Sequence, residues 1–227
     1  MALGPFHVAD KLKEAVRIRG TVLLMRHGET PWNREGRVMG RQPVELDEAG
    51  RRQVEESVPL ARLLKPDLIV SSPLPRTRQS AEIIANGIGD IKIVEEPLIE
   101  EVRYGKWEGM TYHQLIKDES FLEYRKAPIE NMTPGGETIV QVQARGVEGV
   151  MHALRANNEQ RLLFVSHGDI IRTVVCHFMK LDLRYYHRLR VDNASFFAID
   201  VIGDFAELKF SNLLPDPTRS FLPPFKK

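Results

Sequence analysis

"TVLLMRHGETPWN", residues 21–33, carries an apolar run straight into Arg26, His27 and Gly28. Residues 21–25 read as a buried strand, because a short apolar run bounded by turn residues suits a strand covered on both faces. Its carboxyl end then presents an arginine beside a histidine. Two such groups repel each other when both are charged, and an anion between them removes the conflict. The pattern predicts a strand that ends at an anion site.

The same strand pattern recurs outward along the chain, as "DLIVSS" at 67–72, "IKIVEE" at 91–96 and "RLLFVS" at 161–166. Helices are expected over about 48–64, 76–86, 111–126, 137–156 and 169–180. Asp47 is placed to cap the first, and Pro59 predicts a kink or break within it. Ile139, Val142, Val147, Val150, Met151 and Leu154 form a core-facing stripe on the fourth. Residues 27–46 read as a long loop, and "MTPGGET" at 132–138 as a turn capping the next helix. "SFFAIDV" and "AELKFSN", joined through Gly203-Asp204, predict a hairpin. Strands alternating with helices imply a three-layer α/β/α sandwich with a mainly parallel central sheet. The α/β domain spans 21–212. Residues 1–20, with Val8, Leu12, Ala15 and Val16 at helical spacing, predict a helical extension. Residues 213–227, "LLPDPTRSFLPPFKK", are too rich in proline for regular structure.

Composition narrows the function classes. The chain has 227 residues, 42% hydrophobic and 28% charged, with a formal net charge of +1. That balance carries no overall basic field and argues against a general nucleic-acid binder. Attraction for an anion must come from a few convergent cations. Cys176 is the only cysteine, so an intramolecular disulfide is impossible and a reducing compartment is expected. Neither a signal-peptide core nor the roughly 18 consecutive apolar residues of a membrane span occurs. The expectation is a cytoplasmic protein without a membrane partner; a monomer and a homodimer fit equally well.

In an open parallel sheet, ligands bind beyond the carboxyl ends of the strands. "MRHGET", "SSPLPRTR" and "VSHGD" all fall at such ends. The topology would gather Arg26, His27, Arg76 and His167 on one rim, with Glu101 in reach from the loop after the third strand. Two arginines, two histidines and a carboxylate suit a phosphoryl group.

The motifs "RHGETPWN", "SSPLPRTRQSAE", "EVRYGKWEG", "PGGET" and "VSHGDIIR" occur in an order that resembles the histidine phosphatase superfamily, in its phosphoglycerate mutase-like branch. The resemblance runs from about residue 21 to about residue 200. It implies that His27 is the nucleophile, becoming a phosphohistidine, while Arg26, Arg76 and His167 hold the phosphoryl oxygens. Arg78 competes for the place of Arg76, and the family spacing favours Arg76. The same spacing puts the acid four residues before Gly105, at Glu101 instead of Glu100. Thr30 and Asn33 match pocket-lining, phosphate-binding positions, and Gly168 could bring a backbone N–H to the anion. The chemistry so implied needs no metal and no cofactor, and its partner is a small phosphorylated metabolite.

The family contains phosphatases, which pass the phosphoryl group to water, and bisphosphoglycerate-dependent mutases, which return it to a bound acid. Mutases carry a long insert between the acid motif and the PGGE motif. Here only Gly109 to Pro134 intervene, which favours hydrolysis. A non-catalytic phospho-ligand binding protein is the alternative from another class. Met39, Pro43 and Glu45 depart from the family's usual pattern and alter the pocket wall, which bears on the substrate more than on the chemistry.

Overall fold

The opening apolar run forms β1 (Arg19–Arg26), inside a sheet that is complete on both of its sides. The computed structural model describes residues 18–158 and 160–216. The expected helix within residues 1–20 and the tail beyond residue 216 therefore lie outside the described residues, save for Ile18, Arg19 and Gly20.

In chain order β1 is followed by α1 (Pro31–Arg34), α2 (Glu48–Leu64), β2 (Leu68–Ser71), α3 (Pro75–Ile88) and β3 (Ile93–Glu95). Two short helices, α4 (Tyr112–Leu115) and α5 (Glu119–Lys126), lead to α6 (Ile139–Ala156), β4 (Arg161–Ser166) and α7 (Gly168–Phe178). The hairpin β5 (Phe196–Ile202) and β6 (Phe205–Leu213) closes the order. The sheet runs β3-β2-β4-β1-β5-β6. The first four strands in that row are mutually parallel, and β5 and β6 join antiparallel to β1 and to each other. The sheet is thus mixed, with a parallel heart.

Both faces are covered, and the strand period of two divides the apolar run between them. Val22 and Leu24 point to a core shared with Val150 and Leu154 of α6 and with Ile170 and Val174 of α7. Leu23 and Met25 point the other way, to Val54 and Ala61 of α2 and Ala81 and Ile84 of α3. A one-residue slip would exchange the two sets, so the register is strongly fixed.

Several local expectations are modified. Pro59 does not break α2. Its ring forfeits the bond to the carbonyl of Glu55, but both residues are exposed and water replaces what is lost. The expected helix over 111–126 is two helices, because Asp118 accepts from the Phe121 N–H and starts a second N-terminus. The first is closed by its own capping box between Thr111 and Gln114. Within the loop over 27–46, Pro31–Arg34 makes one helical turn, capped by Thr30. α5 packs Phe121 and Tyr124 against Trp107, forming a third apolar cluster over the rim.

No helix among the described residues is long and apolar enough to cross a membrane. Phe164 lies on the central strand β4 and is fully buried. Phe164→Ala is expected to lower the unfolding free energy by about 3–5 kcal/mol, read from the midpoint of a urea denaturation curve.

Candidate active site

Register decides which side chains meet. Arg26 stands opposite Ser166 across the β1–β4 pair, and Ser71 opposite Val165 across β2–β4. His27, His167 and Ser72 are the next residues of their strands and so leave the sheet at one rim. The rings of His27 and His167 are 5.4 Å apart between centroids. Both imidazoles are buried.

His27 Nδ1 lies 2.7 Å from the Gly28 carbonyl oxygen. A carbonyl only accepts, so Nδ1 carries the proton and Nε2 keeps its lone pair. Burial, then Arg76 and Arg26, hold the His27 imidazole well below its ordinary pKa. His167 is held down in the same way, by burial first, then Arg76 and His27. Its Nε2 is 2.8 Å from Ser72 Oγ. With the serine hydroxyl donating, the imidazole proton is on Nδ1, a buried atom that has no protein partner.

Arg76, fully buried near the start of α3, donates to the Gly40 and Gln42 carbonyls at 2.8 and 3.0 Å. Arg26 donates to the Val191 carbonyl at 2.7 Å. In each, Nε is buried and unpartnered. Three orphaned N–H donors around two neutral imidazoles make a site built for the oxygens of an anion. Burial lowers Arg76 to about 10, still a cation at neutral pH. Arg78, by contrast, is exposed and paired with Glu95 at 3.3 Å, so the structure brings Arg76 to the rim and leaves Arg78 outside it.

Glu101 is brought to the same group. Its carboxyl is raised to about 7, by burial first and then by Asp169, against the Val102 N–H, which its Oε1 accepts at 3.0 Å, and then Arg76 and Arg26. Glu100 is instead paired with Arg41 at 2.9 Å. The loop carrying both is fastened through its backbone. The Glu101 carbonyl accepts from Arg41 Nε at 3.1 Å and from an Arg145 terminal nitrogen at 3.0 Å. Glu137, from the "PGGET" stretch, holds both arginines and accepts from the Arg103 N–H at 2.8 Å. That stretch therefore supports the acid loop, and Thr138 caps α6. Two glycines make the close approach possible. A Cβ at Gly105, which has φ of 59°, would stand 2.0 Å from the Pro134 carbonyl oxygen, and one at Gly136 would stand 1.8 Å from that of Arg103.

Thr30 and Asn33 sit beside His27 but face each other. Their side chains form the capping box of α1, each accepting the other's backbone N–H at 3.2 Å. Asn193 links this box to the end of β1, donating to the His27 carbonyl at 3.1 Å. Gly168 opens α7, where first-turn N–H groups have no intrahelical acceptor. A Cβ there would lie 3.7 Å from Arg26 Nε. Cys176 is buried away from this chemistry, and burial pushes its thiol up to about 11.

Sequence reasoning missed Ser72, Arg41, Arg145, Glu137, Asn193 and Val191. Most act through backbone atoms over long separations and leave no local signal. Asp169 and Arg172 were also missed, although their i,i+3 spacing on α7 is a recognisable pairing pattern.

A family model described as the histidine phosphatase superfamily (branch 1) matches residues 22–213. An acid phosphatase of Mycobacterium tuberculosis is 33% identical over 177 residues, covering 77% of this chain and 83% of its own. A probable phosphoglycerate mutase of Escherichia fergusonii is 31% identical over 183 residues, covering 79% and 84%. The solved structure of a mycobacterial glucosyl-3-phosphoglycerate phosphatase, in complex with VO3, superposes with a TM-score of 0.76 at 26% identity. It covers 85% of this chain and 98% of its own.

A Cβ at Gly50 would stand 2.0 Å from the Glu29 carbonyl oxygen, in the turn that follows His27. Gly50→Ala is expected to cost about 1–3 kcal/mol through that overlap. Gly146→Ala, whose Cβ meets Val174 at an ordinary 3.4 Å, is expected to stay within about 1 kcal/mol of neutral. Chemical denaturation of both variants makes the comparison.

Proposed function

The chain belongs to the histidine phosphatase superfamily, and on that premise we propose that it hydrolyses small phosphate monoesters through a covalent phosphohistidine on His27. The single observation that carries the reading is the His27 Nδ1–H bond to the Gly28 carbonyl, which frees Nε2 among three orphaned donors.

His27 Nε2 attacks phosphorus while Arg26, Arg76 and His167 take up the charge that develops on the equatorial oxygens. The Gly168 N–H adds a donor from the start of α7. Glu101 gives its proton to the departing ester oxygen, and the alcohol leaves. The same carboxylate then accepts a proton from the water that attacks the phosphohistidine, releasing inorganic phosphate and restoring both groups. Thr30 and Asn33 act one step removed, by fixing the backbone next to His27.

The short stretch between the acid motif and "PGGET" folds as α4 and α5 over Trp107, which supports transfer to water. A mutase reading draws support from the relative named as a probable phosphoglycerate mutase. Isomerisation of 3-phosphoglycerate stimulated by the bisphosphate, with no phosphate released, would replace hydrolysis as the main activity. The lone, buried Cys176 supports work in a reducing cytoplasm.

His27→Ala is expected to lose at least about a thousandfold in kcat/KM for p-nitrophenyl phosphate. Labelled wild-type enzyme should carry acid-labile phosphate on His27 after a quench; full activity without His27 would sink the mechanism. The pH profile follows from the two shifts. His27 is lowered and stays neutral well into acid, whereas Glu101 loses its proton near about 7. Hydrolysis of alkyl phosphates should therefore fall as pH rises through about 7, in a kcat/KM titration.

A further inference from the structure

Asp169, on the first turn of α7, is almost completely buried, yet the proposed reaction gives it no task. Both its oxygens are engaged. Oδ1 accepts from an Arg172 terminal nitrogen at 2.7 Å, and Oδ2 accepts from the Tyr104 hydroxyl. Arg172 is itself anchored by Nε on the Leu189 carbonyl at 2.8 Å. An oxygen pair so occupied cannot serve as a second acid toward substrate. What it does is join α7 to the loop that carries Glu101, because Tyr104 belongs to that loop.

We propose that Asp169 is a positioning residue for the acid: by accepting from Tyr104 and Arg172 it clamps the loop that carries Glu101 to the first turn of α7 and fixes a second carboxylate beside that loop. The inference rests on Glu101 being the acid of the reaction.

The charges around Glu101 come from every element packed on it. The Val102 N–H, which Glu101 Oε1 accepts at 3.0 Å, favours its ionised form, as do Arg76 on α3, Arg26 at the end of β1 and Arg172 on α7. Tyr104 on its own loop and Tyr124 on α5 are hydroxyls that stay protonated, both held above their usual range by burial and by Asp169. Asp169 is the anionic side chain opposing the three arginines, and it ranks second only to burial in keeping the proton on Glu101. A carboxylate surrounded by three guanidinium groups would otherwise ionise in moderate acid. Arg172 fixes Asp169 in place, and so the proton on Glu101 is defended by a group that never touches the substrate.

The test compares an alkyl phosphate, glycerol 2-phosphate, with p-nitrophenyl phosphate, whose leaving group departs without a proton. Asp169→Asn keeps the size of the side chain but removes its charge. Its alkaline limb for glycerol 2-phosphate should move down by about one pH unit, and the aryl-to-alkyl rate ratio at pH 7 should rise about fivefold. Tyr104→Phe cuts the clamp but leaves the charge; it should slow the alkyl ester with no downward shift of the limb. Arg172→Gln removes a cation from the group and should move the limb up. A limb in Asp169→Asn that coincides with wild type, with an unaltered rate ratio, would overturn the proposal. Should that variant fail to fold, Tyr104→Phe decides instead: an alkyl-ester rate equal to wild type overturns the clamp. Glu101→Gln separates the two levels. If it leaves the aryl-to-alkyl ratio as in wild type, the assignment of the acid itself is wrong; if it raises the ratio while Asp169→Asn does not, only the inference about Asp169 falls.

Discussion

The parallel pairing of β1 with β4 is the constraint on which the rest depends. Arg26 opposite Ser166 brings the two strands to their ends together, and the next residue on each is a histidine. Neither imidazole has a function alone: one offers a lone pair, the other a proton. The pairing is held from below by alternate side chains packed into two separate cores, so the placement of the rings inherits the stiffness of the sheet. Ser72, leaving the adjacent strand β2 at the same level, completes the orientation of His167.

A second constraint governs the proposed acid. Glu101 lies on irregular backbone, which is ordinarily the more mobile part of a fold. Here Arg41 and Arg145 bind its carbonyl, Glu137 binds both arginines, and Gly105 and Gly136 allow two loops to touch. Arg145 also donates to the carbonyls of Leu98 and Glu100. A loop whose backbone acceptors are saturated by guanidinium groups behaves as part of the scaffold. Its side chain can then be kept apart from those cations and retain its proton.

Much of this was legible in the sequence, and for identifiable reasons. Strands buried on both faces announce themselves as apolar runs, and residues that follow such runs must share the rim of a parallel sheet. Arg26, His27, Arg76 and His167 needed little more than that, together with the motif order. Glu101 was legible only through its spacing from Gly105. The helix over 111–126 was misjudged because Asp118 can stand inside a helix or cap a new one, and periodicity does not distinguish the two. Thr30 and Asn33 were legible as neighbours of His27, but not their mutual capping, which depends on a four-residue helix too short to leave a pattern. Arg145 and Glu137 were invisible: Arg145 donates to carbonyls that every residue possesses, and Glu137 accepts from guanidinium groups and a backbone N–H brought to it only by the fold.

The three orphaned donors carry a consequence beyond catalysis. Arg26, Arg76 and His167 each hold a buried donor with no protein acceptor, and a tetrahedral oxyanion between them would satisfy all three. Because released inorganic phosphate has that shape and charge, the folded chain gains from retaining its own product. Product inhibition and thermal protection by phosphate become two readings of one contact.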